Sequence, residues 1–330
     1  MNKKALVLFS GGLDSTLAIK VLLEQRIEVV AITFITPFNN LEPDKIAQGL
    51  DVELKIVHSG KDYVEMVKEP KYGYGKNMNP CIDCKIFMLK KTKVYMNEIG
   101  ASFVATGEVL DERPMSQRKD TLWIIERDSD LKGLLLRPLS AKLLPPTIME
   151  EKGVVERKRL LDIQGRSRKP QMALAKKFGI KTYQTPAGGC LLTDEGFSKR
   201  LKDVLDDNIS LNDIELLKVG RHFRLGPKTK IIVGRNDEEN KRLLKLTQKG
   251  DILFKVVNFP GPITILRGEA NQESLELTAK ITSRYSKAKE EAITQVSYRE
   301  FREDKGKILT VSPIEDSELE YNTNPNKIIS

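Results

Sequence analysis

The sequence has few of the residues that anchor metals and disulfides: 330 residues include three cysteines, two histidines and one tryptophan. Three cysteines cannot build an all-cysteine zinc site, which needs four thiolates. The histidines, His58 and His222, stand in no ligand-like spacing. The longest early apolar run, Ala5 to Phe9, is too short for a signal-peptide core or a membrane span. We therefore expect a cytoplasmic protein with reduced thiols and no membrane partner.

Size and charge indicate a folded protein of about two domains with a polyanionic partner. Hydrophobic residues make up 40% and charged residues 31%, without an internal repeat or a low-complexity tract, and the net charge is +9. Ten basic residues between Lys152 and Lys181, against Glu156 and Asp162, give this segment a net +8. Such a run is typical either of a nucleic-acid surface or of an ordinary solvated helix face.

The order of apolar segments predicts two domains of different class. In the first half, strand-like and helix-like segments alternate, as in a doubly wound parallel sheet with helices on both faces. Later segments are short and strand-like between Gly and Pro turns, so we place an α/β domain at 1–209 and a smaller α+β domain at 210–330. The predicted helices include 43–50, 84–98 and 197–205. Regular secondary structure is predicted to be interrupted at Pro186 to Gly189, and the acidic C-terminal end is predicted to fray.

The most informative motif is Ser10-Gly11-Gly12-Leu13-Asp14-Ser15, between a predicted strand and a predicted helix. Glycines there let backbone N–H groups approach an anion, and the helix N-terminus adds partial positive charge. The spacing is neither that of a Walker loop nor that of a dinucleotide-binding fold. A strand-to-helix turn capped by Ser and Asp is the simpler alternative; the full six-residue form favours a phosphate site.

Two of the three cysteines, Cys81 and Cys84, form a Cys-x-x-Cys at a predicted helix start, and Cys190 follows two glycines. A helix N-terminus is expected to lower the pKa of these thiols and so prepare them as ligands or nucleophiles. Three thiolates without a fourth protein ligand suit a [4Fe–4S] cluster with one open iron. A persulfide-forming pair with one bystander cysteine is the alternative.

The six-residue loop resembles the PP-loop of N-type ATP pyrophosphatases, whose fold is adenine nucleotide alpha hydrolase-like. The resemblance implies that ATP is split into AMP and pyrophosphate while AMP activates a carbonyl or carboxyl oxygen. It implies phosphate binding by Ser10, Gly11, Gly12 and Ser15. Asp14 would lie near Mg²⁺, and the strand from Val30 to Phe34 would contact adenine through its backbone.

Further motifs are similar to those of PP-loop tRNA thiouridine synthases, over roughly residues 4–205. Asn79-Pro80-Cys81 and its helix resemble the 2-thiouridylases, although many of these have no cysteine at the position of Cys81. Thr106-Gly107-Glu108-x-Leu110 looks like the 4-thiouridine synthase pattern and adds Gly107 to the nucleotide site. The distant Cys190 is similar to that of the cluster-dependent branch, which implies that all three cysteines hold the cluster. We expect sulfur delivery without the rhodanese-like tail of some relatives.

The C-terminal strands resemble the RNA-binding module of fibronectin-binding-type ribosome quality-control proteins. The likeness rests on Val219 to Arg224 and on Ile232 to Asn236, and it makes Arg221 and Arg235 candidate RNA contacts. A β-domain whose arginines only face solvent is the alternative. In the preceding basic segment, Arg166, Arg168 and Lys169 are the RNA contacts we predict.

These features together predict an ATP-dependent tRNA uridine thiolase that makes 4-thiouridine or 2-thiouridine. Its partners would be tRNA and a sulfur donor, either sulfide or a persulfide carrier. Its cofactors would be ATP, Mg²⁺ and a [4Fe–4S] cluster. Catalysis would depend on Asp14, Cys81, Cys84 and Cys190. A PP-loop ligase or amidotransferase acting on a small molecule, and a non-catalytic RNA-binding protein, are the two rival interpretations.

Overall fold

A computed structural model describes residues 3–39, 41, 52–180, 183, 190–205, 209–322 and 328–329. The chain divides into two compact units, Met1–Asp194 and Glu195–Ser330. The helix predicted at 43–50 and the break predicted at Pro186 to Gly189 lie outside the described residues. No helix in these ranges combines the length and the apolar character needed to cross a membrane.

The first unit contains a five-stranded parallel sheet with the strand order β3-β2-β1-β4-β5. The strands are β1 (Lys4–Leu8), β2 (Glu28–Ile35), β3 (Glu53–His58), β4 (Phe103–Thr106) and β5 (Leu135–Leu136). Side chains alternate between the faces of the sheet, so Ala5 and Val7 join one hydrophobic cluster while Leu6 joins the other. Both faces are therefore covered, which confirms the predicted doubly wound α/β fold.

Six α-helices belong to the first unit in the described part of the chain, besides three short 3-10 helices. They are α1 (Leu13–Leu23), α2 (Lys61–Lys68), α3 (Cys81–Glu98), α4 (Lys119–Asp128), α5 (Ile148–Glu151) and α6 (Lys169–Lys177). Helix α1 buries Leu17, Ala18, Val21 and Leu22, the helical face that the sequence spacing predicts. Helix α3 begins three residues before the predicted Cys84, directly after Pro80.

The sheet order places a topological switch point between β1 and β4. Both strands are parallel neighbours, with Leu8 opposite Thr106 at their carboxyl ends. The chain leaves β1 toward β2 on one side, whereas β4 leads to β5 on the other. Such a crevice beyond the carboxyl ends of parallel strands is where open α/β sheets bind ligands. The phosphate loop follows β1, and Gly107 follows β4.

The second unit contains a seven-stranded sheet in the order β11-β10-β8-β9-β7-β6-β12, and every pairing in it is antiparallel. The strands are β6 (Arg221–Gly226), β7 (Thr229–Val233), β8 (Ile252–Val256), β9 (Thr264–Arg267), β10 (Thr294–Glu300), β11 (Lys307–Val311) and β12 (Ile328–Ile329). The helices are α7 (Glu195–Lys202), α8 (Leu211–Leu217), α9 (Asp237–Leu246), α10 (Gln272–Arg284) and α11 (Asp316–Asn322). This α+β architecture agrees with the predicted fold class.

Two sequence predictions differ from the second unit as observed. The predicted domain boundary lies at 209/210, whereas the compact units meet between Asp194 and Glu195. Helix α7 accounts for the difference, because Arg200 in it donates to the backbone oxygen of Leu217 in α8. The acidic end is not frayed over α11, because Lys280 and Arg284 form ion pairs with Glu318 and Asp316 respectively.

Candidate active site

The phosphate loop is closed by hydrogen bonds between its two serines and its own backbone. The Ser15 hydroxyl donates to the Gly12 backbone oxygen at 2.9 Å, and the Ser10 backbone N–H donates to the Ser15 hydroxyl at 3.4 Å. Gly11 has a φ of 76°, a left-handed conformation that glycine adopts without strain. Because α1 starts at Leu13, the loop presents a helix N-terminus to the crevice, where an anion is stabilised.

Gly107 fits against this loop so closely that no side chain could replace its hydrogen. A Cβ atom at position 107 would lie 2.4 Å from the Ser15 backbone nitrogen and 2.5 Å from the Asp14 carbonyl carbon. These neighbours are backbone atoms, which cannot rotate away. Gly107 is therefore required for the loops after β1 and β4 to meet.

A buried polar cluster with unmet hydrogen-bonding capacity adjoins the loop at Asp14. Asp14 Oδ2 lies 3.7 Å from an Arg168 guanidinium nitrogen. Within the described structure, Asp14 Oδ1, Arg168 Nε and both amide atoms of Gln171 are buried without a hydrogen-bond partner. Burial raises the pKa of Asp14, while Arg168, Arg113 and the nearby Gln171 amide oppose the rise. Native proteins leave few such atoms unpaired, so this cluster is suited to a ligand.

The three cysteines converge at the same end of the sheet. Cys81 is the first residue of α3 and Cys84 lies one turn further along. Cys190 forms an isolated β-bridge with Asn39, just beyond the end of β2, and the Leu191 backbone N–H donates to the Phe38 oxygen at 2.8 Å. All three thiols are free and each is partly buried. Ionising one of these thiols would disfavour ionising the next, as expected for neighbouring groups.

The thiol pKa values are raised, which corrects the expectation from the helix N-terminus. Burial raises the pKa of Cys81 and of Cys190, and it raises the pKa of Cys84 to about 12. The Tyr63 hydroxyl donates to Cys84 Sγ at 2.9 Å, but this hydrogen bond does not offset the loss of water. Desolvation therefore outweighs the helix dipole, and burial favours the protonated form of the thiols.

A buried ion-pair network contacts α3, the helix that carries Cys81 and Cys84. Glu108 receives Lys85 Nζ at 2.6 Å and Arg137 Nε at 3.0 Å. These two cations overcome the effect of burial and hold the pKa of Glu108 at about 2. Arg137 also reaches Glu126 at 3.1 Å. Lys85, on α3, is thus bound to Glu108.

Several of these residues were not predicted from the sequence. Gln171, Arg137 and Tyr63 belong to no motif, and only the tertiary contacts place them at the site. The exposed Arg113 also belongs to no predicted motif. Its positive charge opposes the rise in the pKa of Asp14, Cys81 and Cys190, as expected of a cation near both the nucleotide loop and the cysteines.

Phe34, predicted at the adenine site, is buried in β2, where its backbone oxygen accepts the Asn39 side-chain amide at 3.0 Å.

The predicted RNA contacts fall into different environments. Arg166 and Lys169 are exposed, whereas Arg168 is half-buried beside Asp14. In the second unit, the Arg221 guanidinium lies over the Tyr285 ring at 4.8 Å. Arg235 is exposed and its Nε donates to Glu239 at 2.9 Å. Arg168 therefore belongs with the nucleotide loop as much as with the basic surface.

Comparison with known proteins matches each unit to a different family. Residues 1–142 match the family described as thiamine biosynthesis protein (ThiI), and residues 220–322 match the NFACT protein RNA binding domain. The first part of the chain is thus similar to ThiI proteins, and the last part is similar to the RNA-binding domain of NFACT proteins. The resemblances inferred from the phosphate loop and from the C-terminal strands are thereby confirmed.

Relatives of this chain carry names from tRNA modification. The chain is 24% identical over 288 residues to the tRNA-specific 2-thiouridylase MnmA of Petrotoga mobilis, covering 77% of this chain and 75% of that protein. It is 25% identical over 334 residues to the MnmA of Caldicellulosiruptor saccharolyticus, covering 88% of each. The probable tRNA sulfurtransferase of Thermococcus kodakarensis is 30% identical over 144 residues, 41% of this chain and 36% of that protein. These relatives support tRNA thiolation.

Proposed function

We propose that this protein is an ATP-dependent tRNA uridine thiolase. The observation that carries the proposal is the meeting of a phosphate loop and three free cysteines at one end of a parallel sheet. The phosphate loop is suited to binding ATP, which activates a substrate oxygen. The cysteines are suited to holding or transferring sulfur. A small-molecule ligase would need the first feature and not the second.

The ATP site is built from the loop between β1 and α1. Ser10, Gly11, Gly12 and Ser15 would bind the phosphates through their N–H and hydroxyl groups, with the N-terminus of α1 adding positive charge. The unpartnered buried oxygen of Asp14 suits Mg²⁺, which prefers carboxylate and phosphate oxygens. Arg168 and Gln171, whose buried nitrogens also lack partners, would donate to the transferred groups.

The proposed reaction has two steps. In the first, the carbonyl oxygen of a uridine attacks the α-phosphorus of ATP and pyrophosphate leaves, so the uridine carries AMP on that oxygen. In the second, sulfide attacks the activated ring carbon, and AMP leaves with the original oxygen. If a cysteine persulfide attacks instead, a second cysteine must then cleave the S–S bond to release the thiouridine, and an external thiol must reduce the disulfide that forms. The protein's amides and cations neutralise the phosphate charge, and the neighbouring cysteines position the sulfur.

Two sulfur chemistries fit Cys81, Cys84 and Cys190. Among the described residues, no three His, Cys, Asp or Glu side chains are placed to hold one metal ion. The ligands of a [4Fe–4S] cluster each bind a different iron, so three cysteines around one cleft suit the cluster. Bound there, the cluster would offer one open iron to sulfide, and its charge would stabilise the thiolates that burial disfavours. A persulfide on Cys84 or Cys190 is the cluster-free alternative.

Features of both units support RNA as the proposed partner. The second unit carries an RNA-binding domain, and the first exposes Arg166 and Lys169 beside the nucleotide loop. Phosphate contacts of this kind supply most of the affinity of sequence-independent RNA binding. A tRNA substrate also fits the predicted cytoplasmic location.

The test measures both products of the reaction. Anaerobically purified protein is incubated with unmodified tRNA, ATP, Mg²⁺ and sulfide, and AMP, pyrophosphate and thiolated nucleosides are quantified. We expect AMP, pyrophosphate and one thiouridine, whose mass spectrum and chromatography identify the ring position. Asp14→Ala should lower the rate at least about tenfold, and the exposed Glu65→Gln should not. ADP and phosphate as products, or tRNA binding without pyrophosphate release, would contradict the proposal.

A further inference from the structure

A large open groove lies beside the candidate active site and is not used by the proposed reaction. Its volume is about 900 Å³, at the upper end of the range typical of ligand sites. Its lining comes from helix α4, from strand β5 and from the segment Leu144 to Thr147. The lining is mainly apolar, with Leu122, Pro145 and Pro146 among its residues.

Trp123 projects into this groove from α4 and is 58% exposed. It is the only tryptophan of the chain. Tryptophan carries a large apolar ring whose exposure to water is unfavourable unless a partner covers it. An exposed aromatic ring at a concave surface is the platform on which proteins stack unpaired nucleic-acid bases.

The rim of the groove carries cations placed to accompany such a base. Arg118, Lys119 and Lys132 are exposed on it, and neither lysine has an ion-pair partner within the described ranges. Arg118 has only a long contact to Asp120, at 3.9 Å. The acidic Glu126 and Glu150 of the lining are instead neutralised by Arg137 and Arg157. Asp111 keeps its charge, since its partner is the neutral Gln164 amide. Lys119 and Lys132 together outweigh Asp111, so the remaining charge of the lining favours an anion such as a phosphate.

The groove also adjoins the residues that support the cysteines. Arg137 lies in its wall and binds Glu108, which in turn binds Lys85 on the cysteine helix α3. Asp111, also in the lining, lies on the segment between β4 and α4 that begins at Gly107 against the phosphate loop. The groove is therefore connected to the candidate active site through these side chains.

We propose that the groove binds an unpaired nucleotide of the RNA substrate, with its base stacked on Trp123 and its phosphates near Lys119 and Lys132. This assignment rests on the proposed function, because it takes tRNA as the substrate. Stacking tolerates any base, so the groove positions the strand and does not select the sequence. Trp123 is thus a positioning residue for the nucleotides beside the target uridine.

The single tryptophan makes the groove directly measurable in the full-length protein. A short single-stranded oligouridylate is titrated without ATP while tryptophan fluorescence is recorded. We expect quenching that saturates, with an affinity that falls as salt rises. A labelled oligouridylate then reports binding to variants, and Trp123→Ala should weaken it about five- to 150-fold, the equivalent of the 1–3 kcal/mol of one base–aromatic stack. Trp123→Phe should restore part of the affinity.

Matched charge variants complete the test. Lys119→Gln should weaken oligouridylate binding and flatten its salt dependence, whereas Lys90→Gln, exposed on α3 away from the groove, should do neither. Each variant is checked for native circular dichroism.

Unchanged fluorescence at saturating oligouridylate, with wild-type affinity in Trp123→Ala, would overturn the assignment. So would a fluorescence change that grows with protein concentration without RNA, which would assign the groove to a second copy of the chain. Because these readouts involve no thiolation, they can fail while the proposed function stands.

Discussion

Gly107 and Ser15 approach so closely that a methyl group on Gly107 would lie 2.4 Å from the Ser15 backbone nitrogen. This contact joins the loop after β4 to the phosphate loop after β1. We expect Gly107→Ala to displace the phosphate loop, lower pyrophosphate release at least about tenfold and reduce the free energy of unfolding by about 1–3 kcal/mol. Gly226→Ala, where a Cβ meets no atom within 4 Å, should leave the activity unchanged. Normal ATP turnover by Gly107→Ala would contradict this role.

Gln171 is fully buried, and both of its amide atoms lack partners in the described structure. If they are held for a ligand, Gln171→Leu should raise the stability of the ligand-free protein by about 1–3 kcal/mol, because an unpaired buried amide is costly. The same variant should weaken ATP binding. Thermal unfolding with and without ATP measures both effects, with the exposed Gln248→Leu as control. Gains in both stability and ATP affinity would show that the amide has no ligand.

The basic residues before α6 should separate into two roles. Arg166→Gln combined with Lys169→Gln should reduce the salt dependence of tRNA affinity by roughly one unit for each lost phosphate contact. Arg168→Gln should instead lower pyrophosphate release, because Arg168 lies 3.7 Å from Asp14. Filter binding across a salt series and a pyrophosphate assay distinguish the two. Equal effects of both variants on both assays would refute the division.

The iron content of the protein and of its cysteine variants should show whether it holds an iron–sulfur cluster. Anaerobically purified protein should be brown with about four irons per chain, and alanine at Cys81, Cys84 or Cys190 should abolish both iron and thiolation. Tyr63→Phe removes the hydroxyl that bonds to Cys84 but no ligand, so it should keep the iron. Thiolation by iron-free protein would favour the persulfide alternative. Full activity of Cys190→Ala would exclude both chemistries.

Glu108 should make stability depend on pH in the acidic range. Its pKa is lowered from 4.5 to about 2, so the folded state releases this proton more readily than the unfolded chain. The stabilisation is therefore complete above about pH 4.5 and is lost as the pH falls toward 2. Glu108→Gln should cost about 3–5 kcal/mol at neutral pH, because Lys85 and Arg137 lose their counter-charge. It should also flatten the profile from urea unfolding, whereas Glu65→Gln should not. An unchanged profile would contradict this assignment.

The sequence by itself determined the chemistry of the phosphate loop and the class of both units. Glycines, serines and an aspartate between a strand and a helix define an anion site locally, because backbone amides and a helix N-terminus suffice for it. Alternation of apolar segments likewise predicted the parallel sheet. Helices α9 and α10 and strands β10 and β11 were not assigned from the sequence. Their apolar residues are too few and too widely spaced to distinguish them from the polar segments around them.

Only the tertiary structure decided how the site is assembled. Cys190 is 106 residues beyond Cys84, and it joins the other cysteines because the chain around it pairs with the end of β2. The same packing reversed the expected pKa shift of the thiols, since burial is a property of the folded neighbourhood and the helix dipole is a property of the local chain. Gln171 and Arg137 had no local signal at all. Their roles arise from what lies beside them in space, which no sequence spacing records.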